Sequence, residues 1–184
     1  LLLGALGAAA FLLVYTRLMG YAGDRVTAWR HPELDPGDTG YQILQSLYAI
    51  GSGGLFGLGL GKSRQKYLYL PFQYNDYIFA IACEELGLVG AVGIMVLFAL
   101  LILRGFWIAR QAQTRFSTAL AAGLISLIAV QTILNLCVVT NLLPSTGIAL
   151  PFFSYGGTAL AVNLGEMGIV LNISRKRTIQ EANT

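Results

Sequence analysis

Charge is what this sequence lacks. Only 11% of its residues are charged, against about a quarter in an ordinary soluble domain. With 55% hydrophobic residues there is too little polar material to coat a globule, and a bilayer is the expected solvent. No charge falls between Leu86 and Leu103, and none between Arg115 and Glu166. Cysteine is scarce as well. Cys83 and Cys137 both lie in apolar stretches, which fits small buried hydrophobes and argues against a disulfide framework. The one histidine, His31, has no partner at ligand spacing, so no zinc-type site is expected. The net charge of +3 comes from small separate basic groups, which leaves no footprint for nucleic acid. No charged leader precedes the first apolar run and no A-x-A site follows it, so a cleaved signal is not the reading. The chain opens at Leu1 inside an apolar run and reads as starting within a membrane helix.

What is present is apolar length. A span needs about 20 apolar residues. Four segments meet this: roughly 1–20, 77–103, 117–140 and 156–173. The last two are separated at Asn141–Gly147, where Pro144 and Gly147 interrupt helix. The expectation is an all-α, polytopic helical bundle, a single membrane domain over 1–184 with about four membrane helices. A long polar and Gly-rich loop, 21–75, joins the first and second. Arg104, Arg110 and Arg115 follow the second span, and Arg175, Lys176 and Arg177 follow the fourth. Positive charge near span ends marks the cytoplasmic side, so loop 21–75 is expected to face outward.

Within that loop, residues 51–63 read Gly-Ser-Gly-Gly-Leu-Phe-Gly-Leu-Gly-Leu-Gly-Lys-Ser. The final Gly-Lys-Ser invites a nucleotide-binding reading, but the required first glycine would fall at Phe56. Glycine permits tight turns and close approach, and alternation with Leu and Phe suits a segment half-sunk in the interface. Backbone there must be satisfied by protein or water. Asp76, between the loop and the second span, is either a helix cap or an outward-facing base. Glu84 and Glu85 follow inside the apolar region, where a carboxylate is costly and faces a bundle interior, a cavity or a partner. On helical geometry Glu84 falls on the side of Asp76 and Glu85 opposite. Lys62, Arg64 and Lys66 can bind phosphate, or they are a solvated cluster. Arg25, Gln42, Gln45 and Ser46 offer further polar contacts. Gly87, Gly90 and Gly93 form a small-residue face that can pack helices.

Together these stretches resemble the SEDS family of cell-wall polymerases (shape, elongation, division and sporulation). The residues that carry the likeness are Asp35-Pro36, Gly40-Tyr41-Gln42, Gln45-Ser46, Ala49 to Gly54, Gly57, Gly59, Gly61, Ser63, Lys66, Leu70-Pro71, Asp76, Ile78-Phe79-Ala80 and Glu84-Glu85-Leu86-Gly87. Downstream come Asn135, Leu143-Pro144, Thr146-Gly147, Leu150-Pro151-Phe152, Ser154 to Gly157 and Asn172 to Arg175. The likeness covers essentially the whole chain, in order. It departs at Phe72, where family members commonly carry Glu, and at Tyr74-Asn75 before the aspartate.

The resemblance implies about ten membrane helices, of which this chain holds the last four, in the bacterial cytoplasmic membrane. It implies a peptidoglycan glycosyltransferase that polymerises lipid II, the undecaprenyl-diphosphate-linked precursor, beside a class B penicillin-binding protein. Asp76 occupies the position of the family's essential aspartate. On this reading Asp76 is the catalytic base. Lys62, Arg64, Lys66, Gln42, Gln45, Ser46 and Glu84 contact substrate, and membrane lipids surround the chain. No cofactor is called for and no metal-binding residue is assigned; a divalent cation, Mg or Mn, is left open. Two rivals remain at this level: a lipid II flippase, which would use Glu84, Glu85 and Glu166 through the bilayer depth, and a non-catalytic scaffold for the penicillin-binding protein.

Overall fold

A computed structural model describes residues 11–15, 20–34, 39–64 and 76–181, all in helices, turns and irregular segments, with no strand among them. After a helical stretch at 11–15 come α1 (Gly20–Arg30), a 3-10 turn (Pro32–Leu34), α2 (Thr39–Ser52), α3 (Ile78–Arg110), α4 (Arg115–Val139) and α5 (Gly157–Glu181). The expected loop 21–75 therefore contains two helices. Most of the expected first span, 1–20, lies outside the described residues, as do 65–75 with Lys66, Leu70-Pro71 and Phe72.

α3 and α4 are each long and apolar enough to cross a membrane. α3 has 33 residues, about 50 Å at 1.5 Å per residue. It runs seven residues past the end expected at Leu103, because Arg104 does not stop it: the Arg104 guanidinium lies over the Trp107 ring, 4.0 Å from its centroid. A short turn then returns the chain antiparallel. Thr114 caps α4, its side chain accepting from the Ser117 N–H at 3.1 Å. The outer faces are apolar and open: Leu88, Leu97, Leu100 and Leu103 on α3, Val130 and Ile133 on α4, Leu164 and Leu171 on α5. A water-soluble fold would not leave such surface uncovered, and it is the surface a helix shows to lipid.

The inner face of α4 buries Ala121, Ile125, Ile128, Thr132, Asn135 and Val139, a spacing alternating four and three that keeps one stripe against α3. At the crossing Ile125, fully buried, presses on Gly105, where a Cβ would come within 2.6 Å of its Cγ1. Tyr77, Phe79, Ala80, Cys83, Ala91, Ile94, Phe98, Val139 and Leu150 form the core that joins the start of α3 to the segment between α4 and α5.

α3 is broken at Gly87 (φ 68°, ψ −169°), and the glycine loop fills the break. In an unbroken helix the Leu88 and Val89 N–H groups would bond the Glu84 and Glu85 carbonyls. Instead Leu88 N–H donates to Gly54 O (2.9 Å) and Val89 N–H to Leu55 O (3.2 Å), while Leu58 N–H donates to Glu84 O (2.9 Å) and Gly59 N–H to Glu85 O (3.0 Å). Two helical bonds are exchanged for four between loop and helix. The four main-chain groups that the break frees on α3 all find partners in the loop, as hydrocarbon surroundings demand. The contact is backbone against backbone. A Cβ on Gly87 would lie 2.6 Å from Leu55 O, and one on Gly57 (φ 76°) 2.6 Å from Gly87 N. Gly87 is thus a break rather than part of a packing face, and Gly93 meets nothing.

Candidate active site

Asp76 sits just before α3 and is half-buried. The N-cap position belongs to Tyr77, which makes no side-chain cap bond, so the Asp76 carboxylate is not spent as the cap. Its main chain is held from below. The Asn135 side-chain amide, buried in α4, donates to Asp76 O and to Ile148 O, both at 2.8 Å. One NH₂ group thereby ties the start of α3 to the irregular segment 141–156. That segment runs past the carboxylate: a Cβ on Gly147 (φ 70°) would lie 3.6 Å from Asp76 Oδ2. Glycine here serves both the left-handed turn and the clearance beside the acid.

Arg25, from α1, bears on the same segment and its charge acts on Asp76. Its Nη1 donates to Ser145 O at 2.8 Å, and one turn on, Trp29 Nε1 donates to Asn141 O at 3.0 Å. These two bonds lay α1 across the segment next to Asp76. Tyr77 Oη reaches Ser145 Oγ at a long 3.5 Å. The surroundings pull on Asp76 in opposite directions. Burial raises its pKa above the ordinary aspartate value, and the Arg25 charge lowers it; burial prevails. The result is a carboxylate more basic than a free one, with a fixed cation beside it.

The other expected site residues separate into two groups. Lys62 and Arg64 are exposed at the end of the glycine loop; Lys66 lies outside the described residues. Gln42 and Gln45 are half-buried on α2. Ser46 is fully buried, with its hydroxyl against Ile43 O (2.9 Å) and Val139 O (3.2 Å), so it packs α2 on α4 and presents nothing to a ligand. Glu84 is also buried. Its carboxylate accepts from Ser63 Oγ and, at 3.1 Å, from the Arg64 N–H. Asp76 precedes the helix, so the 100°-per-residue arithmetic that sets Glu84 on its side does not reach it. Among the described residues no three His, Cys, Asp or Glu side chains gather as a metal site.

Two contributors to the site are not marked as such by the sequence motifs. Arg25 was one polar residue among several, and nothing in its spacing foretells that it lies by Asp76. Asn135 carried a signal: an amide within an apolar span must find a partner.

The sequence matches the FtsW/RodA/SpoVE family, described as "Cell cycle protein", over residues 1–179. The chain belongs to this family. Stage V sporulation protein E of Bacillus subtilis is 49% identical over 94% of this chain and 47% of its own length. A probable peptidoglycan glycosyltransferase FtsW of Geobacter sulfurreducens is 45% identical over the same shares. A solved structure described as "Structural coordination of polymerization and crosslinking by a peptidoglycan synthase complex" superposes with a TM-score of 0.74 at 33% identity, covering 96% of this chain and 49% of that one. A mutant of the Thermus thermophilus rod shape determining protein RodA gives 0.56 at 34% identity, over 72% and 40%. The chain spans about half the length of the curated relatives it matches. The family is the one to which the ordered motifs pointed, and the fold is that of an all-helical, polytopic membrane protein.

Proposed function

We propose that this chain carries the glycosyl-transfer site of a peptidoglycan polymerase acting on lipid II, with Asp76 as general base. The observation that carries the reading is Asp76 itself: its carboxylate is released from capping and made more basic by burial, its main-chain carbonyl is held by the Asn135 amide, and Gly147 leaves clearance beside the acid. The acceptor sugar's 4-hydroxyl attacks the donor's anomeric carbon. A C–O bond forms there as the bond from that carbon to the diphosphate oxygen breaks on the opposite face, with inversion. The hydroxyl proton passes to an Asp76 carboxylate oxygen, which must be ionised and within hydrogen-bond reach. Negative charge grows on the leaving diphosphate, and Lys66 with Lys62 or Arg64 meets it. Gln42 and Gln45 supply further polar contacts.

The Arg-rich connector lies at the end of α3 opposite Asp76. By the positive-inside rule, Asp76 faces the extracytoplasmic side of the bacterial cytoplasmic membrane, where a lipid-anchored substrate offers its sugars to water. A class B penicillin-binding protein, crosslinking the product, is the partner this reading requires. The transport alternative needs polar groups open along the bilayer depth. Glu84 is instead committed to the glycine loop.

The test is lipid II polymerisation by the full-length protein with its partner, the partner's crosslinking site blocked, and glycan chains resolved on a gel. Wild type makes chains and Asp76→Asn, though folded, makes none. Equal chains from both would remove Asp76 from the chemistry.

A further inference from the structure

Glu84 grips the glycine loop at two separated places. Its main-chain carbonyl accepts from Leu58 N–H at 2.9 Å, and its carboxylate accepts from Ser63 Oγ and from the Arg64 N–H. Between those anchors lies one tight turn, closed by Lys62 N–H donating to Gly59 O at 3.1 Å, with Gly59 at φ 101° and Gly61 at φ 75°. Both ends of the turn that bears Lys62 are therefore fastened to a single residue of a membrane helix. Glu84 is 1% exposed and Ser63 2%, so neither faces a ligand. Lys62, on the turn, and Arg64, at its anchored end, are exposed.

A carboxylate suits this task because it only accepts and has lone pairs for a hydroxyl and a backbone N–H at once. An unfastened, glycine-rich turn would present its cations over many directions, and that freedom would be lost on binding. We propose that Glu84 is a positioning residue for anion binding: by clamping the 59–62 turn at both ends it aims Lys62 and Arg64 at the diphosphate of a lipid-linked substrate, which it does not itself touch. The inference rests on the reading of Lys62 and Arg64 as diphosphate ligands.

The experiment uses the full-length protein with its penicillin-binding partner and two readouts: KM and kcat for lipid II polymerisation, and binding of undecaprenyl diphosphate alone. Glu84→Gln keeps one acceptor oxygen, and Ser63→Ala removes one anchor while leaving the carboxylate. Each is expected to weaken undecaprenyl diphosphate binding and raise KM roughly tenfold, with a smaller change in kcat, and to lose that effect once Lys62 and Arg64 are both alanine. Should Glu84→Gln fail to fold, Ser63→Ala gives the same reading. An undiminished effect in the Lys62→Ala/Arg64→Ala background, a loss confined to kcat, or unchanged binding would overturn the clamp. A wild type that binds undecaprenyl diphosphate through the clamp yet makes no glycan would leave the clamp standing and sink the polymerase reading. Binding indifferent to Lys62 and Arg64 would end the clamp with its premise.

Discussion

The glycine loop 53–64 and the segment 141–156 both set irregular backbone against apolar helices, and they satisfy it by different means. The loop uses main chain: four N–H and C=O groups of a broken α3 are exchanged with four of its own. The segment uses side chains: Asn135 to Ile148 O, Arg25 to Ser145 O and Trp29 to Asn141 O, with Ser154 Oγ accepting from Leu150 N–H at 2.7 Å. A main-chain contact needs close approach and tolerates no Cβ. A side-chain contact needs the right polar residue and tolerates neighbours. The segment runs past Asp76 and the loop carries Lys62 and Arg64, so the two are expected to fail in different ways.

The largest effect belongs to the loop. Gly87→Ala forces a Cβ onto Leu55 O in a left-handed backbone. The expected cost is roughly 3–4 kcal/mol, read as a large fall in melting temperature of the detergent-solubilised protein. Retained stability would mean that the loop does not occupy the break. Next comes Asn135→Ala, which strips the donor from Asp76 O and Ile148 O. The expected cost is about 2–3 kcal/mol, and because Asp76 is then loosely held, kcat/KM should fall further, on the order of tenfold to a hundredfold. A stability loss with unchanged turnover would confine Asn135 to packing.

The smallest effect is on pH. A base must be ionised, so activity is lost as pH falls through the Asp76 pKa, which burial holds above that of an ordinary aspartate. Arg25 opposes that rise. Arg25→Met therefore moves the acid limb of kcat/KM to higher pH, leaving the protein less active in mild acid than near neutrality. A limb that stays in place, or moves to lower pH, would show that Arg25 does not act on Asp76.

How much of this was legible in the sequence follows the same division. The long spans announced themselves because charge is missing from 86–103 and 116–165, and the bilayer leaves few alternatives. Asp76 stood out as an acid at a span edge. The glycines of 51–61 were visible, and so was the need of a half-sunk backbone for partners, yet the partner was not: main-chain hydrogen bonds have no residue code. Gly87 reads in sequence as one of a small-residue set, since nothing local distinguishes a packing glycine from one at φ 68°. The resemblance implies substrate contacts for Glu84 and Ser46, and a polar side chain in sequence does not say which way it faces. Burial, which only the fold determines, turned both inward. Arg25 lies 51 positions from Asp76 in the chain, and only the laying of α1 across 141–145 brings them together.

The central claim is that Asp76 takes the proton of the attacking hydroxyl while the loop cations hold the diphosphate. The most direct measurement is an experimental structure of the full-length protein with its partner, holding an unreactive lipid II donor and a glycan acceptor. The account predicts an Asp76 carboxylate oxygen about 2.6–3.2 Å from the acceptor 4-hydroxyl, with the donor diphosphate against the Lys62–Arg64 turn. A 4-hydroxyl held by another carboxylate, with Asp76 turned away from both sugars, would contradict it.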